Sequence, residues 1–267
     1  METTKSEQQI EQLDVLKVPL NNVDPNYMPA VIRRLIDTGG AHNITLLSVW
    51  DLLRARRNKE YRAFVLNASL VLPISTSLVK GTEFLTGIKP AQYIPFDFLV
   101  KLLIAIDERE LSLYILGGSK KVLKKVERNI RQTFLNLHIV GRYTGYYRKR
   151  DEPTIIQAIK KASPTLLLVG KGVRGGERWI ARNTDKVGPG IRIWCSDLYD
   201  IFAKRKRRPP YILFDHGLEW LWFLPYKFLY VLRVFPFMYY KILLIIYKFF
   251  KKKKMKPQEK EESDAPQ

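Results

Sequence analysis

Short apolar runs alternate with longer stretches of helical spacing through most of this chain. The apolar runs fall at residues 44–49, 68–73 (ASLVLP), 111–116 (LSLYIL), 138–140, 165–169 (TLLLV) and 191–194. Between them, residues 29–38, 50–64, 96–107, 120–134, 152–162 and 174–183 place apolar side chains at helical intervals. Gly39-Gly40 ends the first of these, and Pro153 sits near the first turn of the fifth. Strands alternating with helices of 10–15 residues predict βαβ units. The fold class is therefore α/β, a Rossmann-like, mostly parallel sheet, with a basic, membrane-associating helical C-terminal appendage. The division expected is a loose leader over 1–25, the α/β domain over 26–208, the appendage over 209–256 and a disordered polar tail over 257–267.

The appendage has its own pattern. Residues 221–254 read LWFLPYKFLYVLRVFPFMYYKILLIIYKFFKKKK. Crossing a hydrocarbon core as a helix takes about 20 largely uncharged residues. Lys227, Arg233, Lys241 and Lys248 interrupt the stretch too often for that, and Lys251, Lys252, Lys253 and Lys254 close it. Pro225 and Pro236 are expected to break it into short helices. The pattern predicts a segment lying on a membrane, apolar side chains at the acyl boundary and cations among headgroups.

Charge sharpens this reading. The formal net charge is +20, and residues 201–256 hold 14 Lys and Arg against Asp215 and Glu219, a net of +12. Cations focused beside an aromatic stretch point to an anionic membrane surface, and count against nucleic acid as the partner. The single Cys195 excludes an internal disulfide, and His42, His138 and His216 are too scattered for a zinc site. The polar, acidic start lacks the marks of a secretory signal, so a peripheral position on the cytoplasmic face of the cell membrane is expected.

Candidate chemistry begins with glycine. Two strands run directly into glycines, at Gly117-Gly118 and at Gly170 and Gly172. The carboxyl ends of parallel strands form the ligand crevice of open α/β sheets, and glycine lets backbone N–H groups approach a phosphate. Lys171 and Arg174 would add cations. Neither turn is a GxGxxG or a P-loop, so ordinary strand-to-helix turns remain the alternative.

The blocks LNASLVLP, LSLYILGG, HIVGRYTGYY, TLLLVGKGVRGGERWIARN, DLYDIFA and HGLEW, in this order, resemble the WecG/TagA/CpsF glycosyltransferases. The resemblance implies a bacterial enzyme of cell-envelope polysaccharide synthesis. Such an enzyme moves an N-acetylhexosamine from a UDP-sugar to a polyprenyl-diphosphate-linked sugar by inverting, metal-independent chemistry, with no cofactor and no metal site. It also implies a basic C-terminal appendage at the membrane and leaves room for envelope-biosynthesis protein partners.

Several positions depart from the family pattern. Where the family carries an aspartate base after the LVLP strand, this chain has Ile74, followed by Ser75. Leu46 and Ser48 stand in place of its Thr-x-Asn, and Gln92 in place of an arginine, while a later aspartate is kept as Asp97. In place of Pro-x-Gln-Glu the chain has Arg174, Gly175, Gly176 and Glu177. Of the arginines before GLEW, Arg208 is kept, and Tyr211, Phe214 and Asp215 replace the others. The candidate catalytic groups are thus Asp97, Ser75 and Arg208, with Asp97 also a possible helix N-cap. Donor-binding candidates are Gly117, Gly118, Tyr146, Gly170, Gly172, Arg174 and Glu177. Membrane candidates are Arg233, Lys241, Lys248 and Lys251 through Lys254. Two readings stay open: an enzyme with altered catalytic residues, and a non-catalytic homologue acting as a binding or scaffold subunit at the membrane.

Overall fold

A computed structural model describes residues 10–196, 198–206 and 234–254. Two strands, β1 (Glu11–Val15) and β2 (Val18–Asn22), precede α1 (Met28–Asp37) and β3 (Ala41–Leu47). Next come α2 (Val49–Arg57), α3 (Lys59–Leu66), β4 (Leu70–Pro73), α4 (Thr76–Thr86) and α5 (Pro95–Asp107). The second half runs β5 (Ser112–Leu116), α6 (Lys120–Thr133), β6 (His138–Tyr143), α7 (Glu152–Ala162), β7 (Leu166–Gly170), α8 (Glu177–Val187), β8 (Gly190–Ser196) and α9 (Leu198–Phe202). The C-terminal helix α10 (Val234–Lys254) follows.

Strands β3 to β8 form one parallel sheet in the order β4-β3-β8-β7-β5-β6. The inner strands β5 and β7 are apolar on both faces, as a sheet covered by helices favours, whereas β3 and β8 also bury Asn43, Thr45 and Arg192. Leu166 and Leu168 face one core with α1, α5, α6 and α9. Leu167 and Val169 face the other with α2, α3, α7 and α8. The strand period of two thus distributes one LLLV run between both layers. The expected Rossmann-like α/β class is the observed one, and the C-terminal helical appendage is present.

Three local expectations are corrected. Residues 11–22, placed in a loose leader, form an antiparallel hairpin that buries Leu13, Val15, Leu16, Val18 and Leu20. Its Asn21 side chain accepts from the Val71 N–H at 2.6 Å, so the hairpin covers the β4 edge of the sheet. Residues 50–64, read as one helix, divide at Asn58, whose side chain accepts from the Tyr61 N–H at 2.8 Å and caps α3. Residues 76–86, left without an element, form α4.

Helix α10 explains part of α4. A Cβ at Gly81 would collide with the Tyr240 side chain, so the glycine is the seat of that ring. Tyr240 and Leu244 are buried there, and the Tyr240 hydroxyl donates to the Ser77 carbonyl at 3.4 Å. Trp50 meets Phe237 edge-on, and Lys248 lies 3.9 Å over the Phe84 ring. Pro236 stands in the first turn of α10 and does not break it, because a first-turn proline sacrifices no intrahelical bond. The outer face exposes Met238, Ile242, Ile245, Ile246, Phe249 and Phe250. Among the described residues, no helix is long and apolar enough to cross a membrane.

Candidate active site

A cavity of about 420 Å³ opens at the carboxyl ends of β3, β4 and β8. Leu46 and Ile74 form its apolar wall, Trp194 lines it from β8, and Asp51, Arg54 and Glu177 supply its charge. Asp51 and Glu177 are each placed by a helix start. Ser48 is the N-cap of α2 and closes a capping box with Asp51: the Asp51 N–H donates to Ser48 Oγ at 3.3 Å, and Asp51 Oδ2 accepts from the Ser48 N–H at 3.0 Å. Ser48 Oγ donates to the same Oδ2 at 2.5 Å. Arg54, one turn on, pairs with Glu177 Oε2 at 3.2 Å and stacks 4.2 Å over the Tyr61 ring. Glu177 is the first residue of α8, reached through Gly176 at φ +60°.

The electrostatics follow from this crowding. Burial, with the Asp51 charge beside it, pushes the Glu177 carboxyl up to about 7, against the pull of Tyr61 and Arg54. Burial also raises Asp51, while its Ser48 hydrogen bonds and Arg54 act the other way. Tyr61 is fully buried, and desolvation together with the two carboxylates drives its hydroxyl far above the usual phenol range. Cys195 also lines the cavity, but complete burial raises its thiol well above the ordinary value.

A second, larger cavity of about 810 Å³ lies between the hairpin, α1 and the start of α4. Asp24, Lys80, Lys89, Thr76 and Gln92 border it, and Thr76 Oγ1 donates to Gln92 Oε1 at 3.1 Å. Asp51 and Glu177, the carboxylates whose pKa burial raises, line the smaller cavity.

The glycine turns have a different character. The Gly117 N–H donates to the Tyr143 carbonyl at 2.9 Å, and the Gly118 N–H to the Lys171 carbonyl at 2.6 Å. A Cβ on Gly117 would stand 2.7 Å from the Gly170 backbone, and one on Gly170 would strike the buried Tyr199 ring. Gly172 lies under the Tyr146 ring, which is otherwise exposed. These glycines let two strand ends and two tyrosines pack at contact distance, and the amides of Gly117 and Gly118 are already bonded within the protein.

The remaining candidates separate. Glu177 and Ile74 line the cavity. Ser75 occupies the N-cap position of α4 without capping it; its Oγ accepts from the Val49 N–H at 3.3 Å. Asp97 stands in the first turn of α5, whose N-cap is Ile94, so the N-cap reading of Asp97 is corrected. Arg174 is exposed in the turn before α8. Lys241 and Lys248 are exposed on α10. Arg208, Tyr211, Phe214, Asp215, His216, Pro225 and Arg233, the side chains of Lys251 to Lys254, and the tail over 257–267 lie outside the described residues. Among the described residues, no group of three His, Cys, Asp or Glu could hold a metal ion. Asp51, Arg54 and Tyr61 escape the sequence reading. The signal that could have found the first of them is the Ser48-x-x-Asp51 capping box at the end of an apolar run.

Comparison with known proteins adds an independent line. The model of the glycosyl transferase WecG/TagA/CpsF family matches residues 13–259. Curated relatives include the N-acetylglucosaminyldiphosphoundecaprenol N-acetyl-beta-D-mannosaminyltransferases of Staphylococcus aureus strains NCTC 8325 and COL. Each is 21% identical over 235 residues, covering 86% of this chain and 92% of the relative. The protein of the same name from strain MRSA252 matches to the same extent.

Proposed function

The chain belongs to the WecG/TagA/CpsF family of glycosyltransferases, and from that premise we propose that it is a peripheral membrane enzyme of cell-envelope polymer synthesis. It moves an N-acetylhexosamine from a UDP-sugar to a polyprenyl-diphosphate-linked sugar at the β3/β4/β8 cavity. The observation that carries this reading is the coincidence of two things. Leu46, Ile74 and Glu177 stand where the family resemblance puts reactive groups, and all three line one cavity at the strand ends. The relatives' name specifies a lipid-diphosphate-linked acceptor, which suits a protein whose C-terminal helix exposes an apolar face.

The chemistry asks for two things. The acceptor hydroxyl must lose a proton as it attacks, and the departing diphosphate must have its negative charge offset. Arg54, paired with Glu177 at 3.2 Å in the cavity, and Arg174 in the turn before α8 are the cations offered for that charge. Helix α10, seated on α4 through Tyr240 and the Lys248–Phe84 contact, holds its exposed Ile242, Ile246 and Phe249 toward a lipid surface, with Lys241 among the headgroups. The membrane face is the cytoplasmic one. The chain divides into a body extending to residue 208, which takes in the hairpin, and an appendage over 209–256.

Two assays test this. Purified protein incubated with UDP-N-acetylhexosamines and a lipid-diphosphate-linked N-acetylhexosamine should give a disaccharide lipid and UDP. Absence of product with every donor contradicts the proposal and favours the non-catalytic scaffold reading. Truncation after Trp220 should release the protein from anionic vesicles. Undiminished vesicle binding would remove the membrane role from the appendage.

A further inference from the structure

We infer that Glu177 is the general base that takes the proton from the attacking acceptor hydroxyl, with Asp51 and Arg54 as the positioning residues that set its charge. The inference rests on the glycosyl-transfer reading and assigns a residue to its proton step.

Elimination within the cavity carries it. Ile74, Leu46 and Pro95 cannot accept a proton, Arg54 is already charged, and the Cys195 thiol is held in its neutral form by complete burial. Ser196 has a hydroxyl, which is a poor base without a stronger one beside it. Among the described residues of the lining two carboxylates remain, and their surroundings differ. Asp51 accepts both the N–H and the Oγ–H of Ser48, and bonds of that kind hold a carboxylate in its charged form. Glu177 meets one guanidinium nitrogen of Arg54, itself stacked on the Tyr61 ring, and lies beside the Asp51 charge, with the Tyr61 hydroxyl pulling the other way. Tyr61 is fully buried, and its hydroxyl has no hydrogen-bond partner of normal geometry, although it faces Glu177.

Glu177 is therefore the carboxylate of the pair held less firmly in its charged form, and the better proton acceptor when ionised. A base is most effective when its pKa lies near the working pH, and about 7 meets that condition. The titratable and charged groups acting on Glu177 are Asp51 and Arg54 from α2 and Tyr61 from α3. Glu60, on α3, is paired with Arg178 and Arg182 and does not compete.

The step balances as a simple displacement. The acceptor O–H proton moves to the Glu177 carboxylate as the oxygen forms a bond to the anomeric carbon of the nucleotide sugar. The bond from that carbon to the diphosphate oxygen breaks, and UDP leaves with the electron pair. Glu177 then returns the proton to water.

Steady-state turnover across pH 5 to 9, with UDP binding measured in parallel, tests this on the full chain. The wild type should show an acid limb near pH 7. Glu177→Gln should lose on the order of 100- to 10,000-fold in kcat with UDP affinity unchanged, and Glu177→Asp should recover part of it. Asp51→Asn removes a neighbouring anion, so the acid limb of whatever turnover it retains should move to lower pH. Turnover of Glu177→Gln within about threefold of wild type overturns the inference and leaves the glycosyltransferase reading standing. An acid limb that Asp51→Asn does not move also counts against it. No wild-type turnover with any donor overturns both.

Discussion

Two neighbouring ends of the same parallel sheet have opposite characters. At β5 and β7 the strands run into glycines, and the turns are packed shut. Gly117 meets Gly170, Tyr199 fills the space behind them, and the Tyr199 hydroxyl donates to the Leu168 carbonyl at 2.8 Å. At β3, β4 and β8 there is no glycine pair in the strand ends, yet the turns part around a cavity with two carboxylates and an arginine. Glycine after a strand thus permits close approach, and what approaches can be another strand end as readily as a phosphate. The more informative mark of a site is a charge that the protein keeps partly buried and partly compensated.

Substitutions at each end separate the two characters, the largest effect first. Gly117→Ala places a methyl 2.7 Å from the Gly170 backbone, at a position with φ +132°. It should cost about 3 kcal/mol or more, read as a lower denaturant midpoint. A variant of wild-type stability that fails to bind UDP would return the glycine turns to a phosphate-binding role.

Glu177→Gln probes the open end. The folded-state pKa of Glu177 lies above its ordinary value of 4.5, so the folded protein holds the extra proton between about pH 4.5 and 7. Stability from this group is present below that window and is lost as pH rises through it. The glutamine variant should flatten that dependence and gain about 3 kcal/mol over wild type at pH 8 relative to pH 4. Parallel stability curves for the two proteins would deny the carboxyl its strained environment.

Tyr199→Phe returns to the closed end. Removing the hydroxyl leaves the Leu116 and Leu168 carbonyls unpaired by it and should cost about 1–2 kcal/mol, with UDP affinity unchanged. A loss of UDP binding larger than the loss of stability would link the closed end to the ligand.

The sheet was legible because its strands are buried on both faces and read as unbroken apolar runs: TLLLV and LSLYIL became β7 and β5 within a residue at each end. Helix α7 was legible to its last residue, Glu152–Ala162, through its proline start and apolar stripe. The hairpin was hidden by its turn. Leu16 and Lys17 both take positive φ, where asparagine and glycine would have signalled a hairpin. Helix α4 was hidden by Thr76, Val79, Thr82 and Gly81, which disfavour helix locally; the Tyr240 side chain that it seats bonds Ser77 from 163 positions further along the chain. The site was half legible. Glu177 came from the family resemblance, whereas Asp51 and Arg54 read as part of a charged helix surface, because a sequence does not disclose that α2 and α8 converge on one cavity.

The central claim is that the donor enters the β3/β4/β8 cavity. Calorimetric titration of UDP into the wild type and into Leu46→Trp, which fills that cavity from its apolar wall, tests it most directly. The account predicts one site per wild-type chain and at least tenfold weaker binding in a variant that remains folded. Equal affinity in both proteins, or no binding by the wild type, would contradict it.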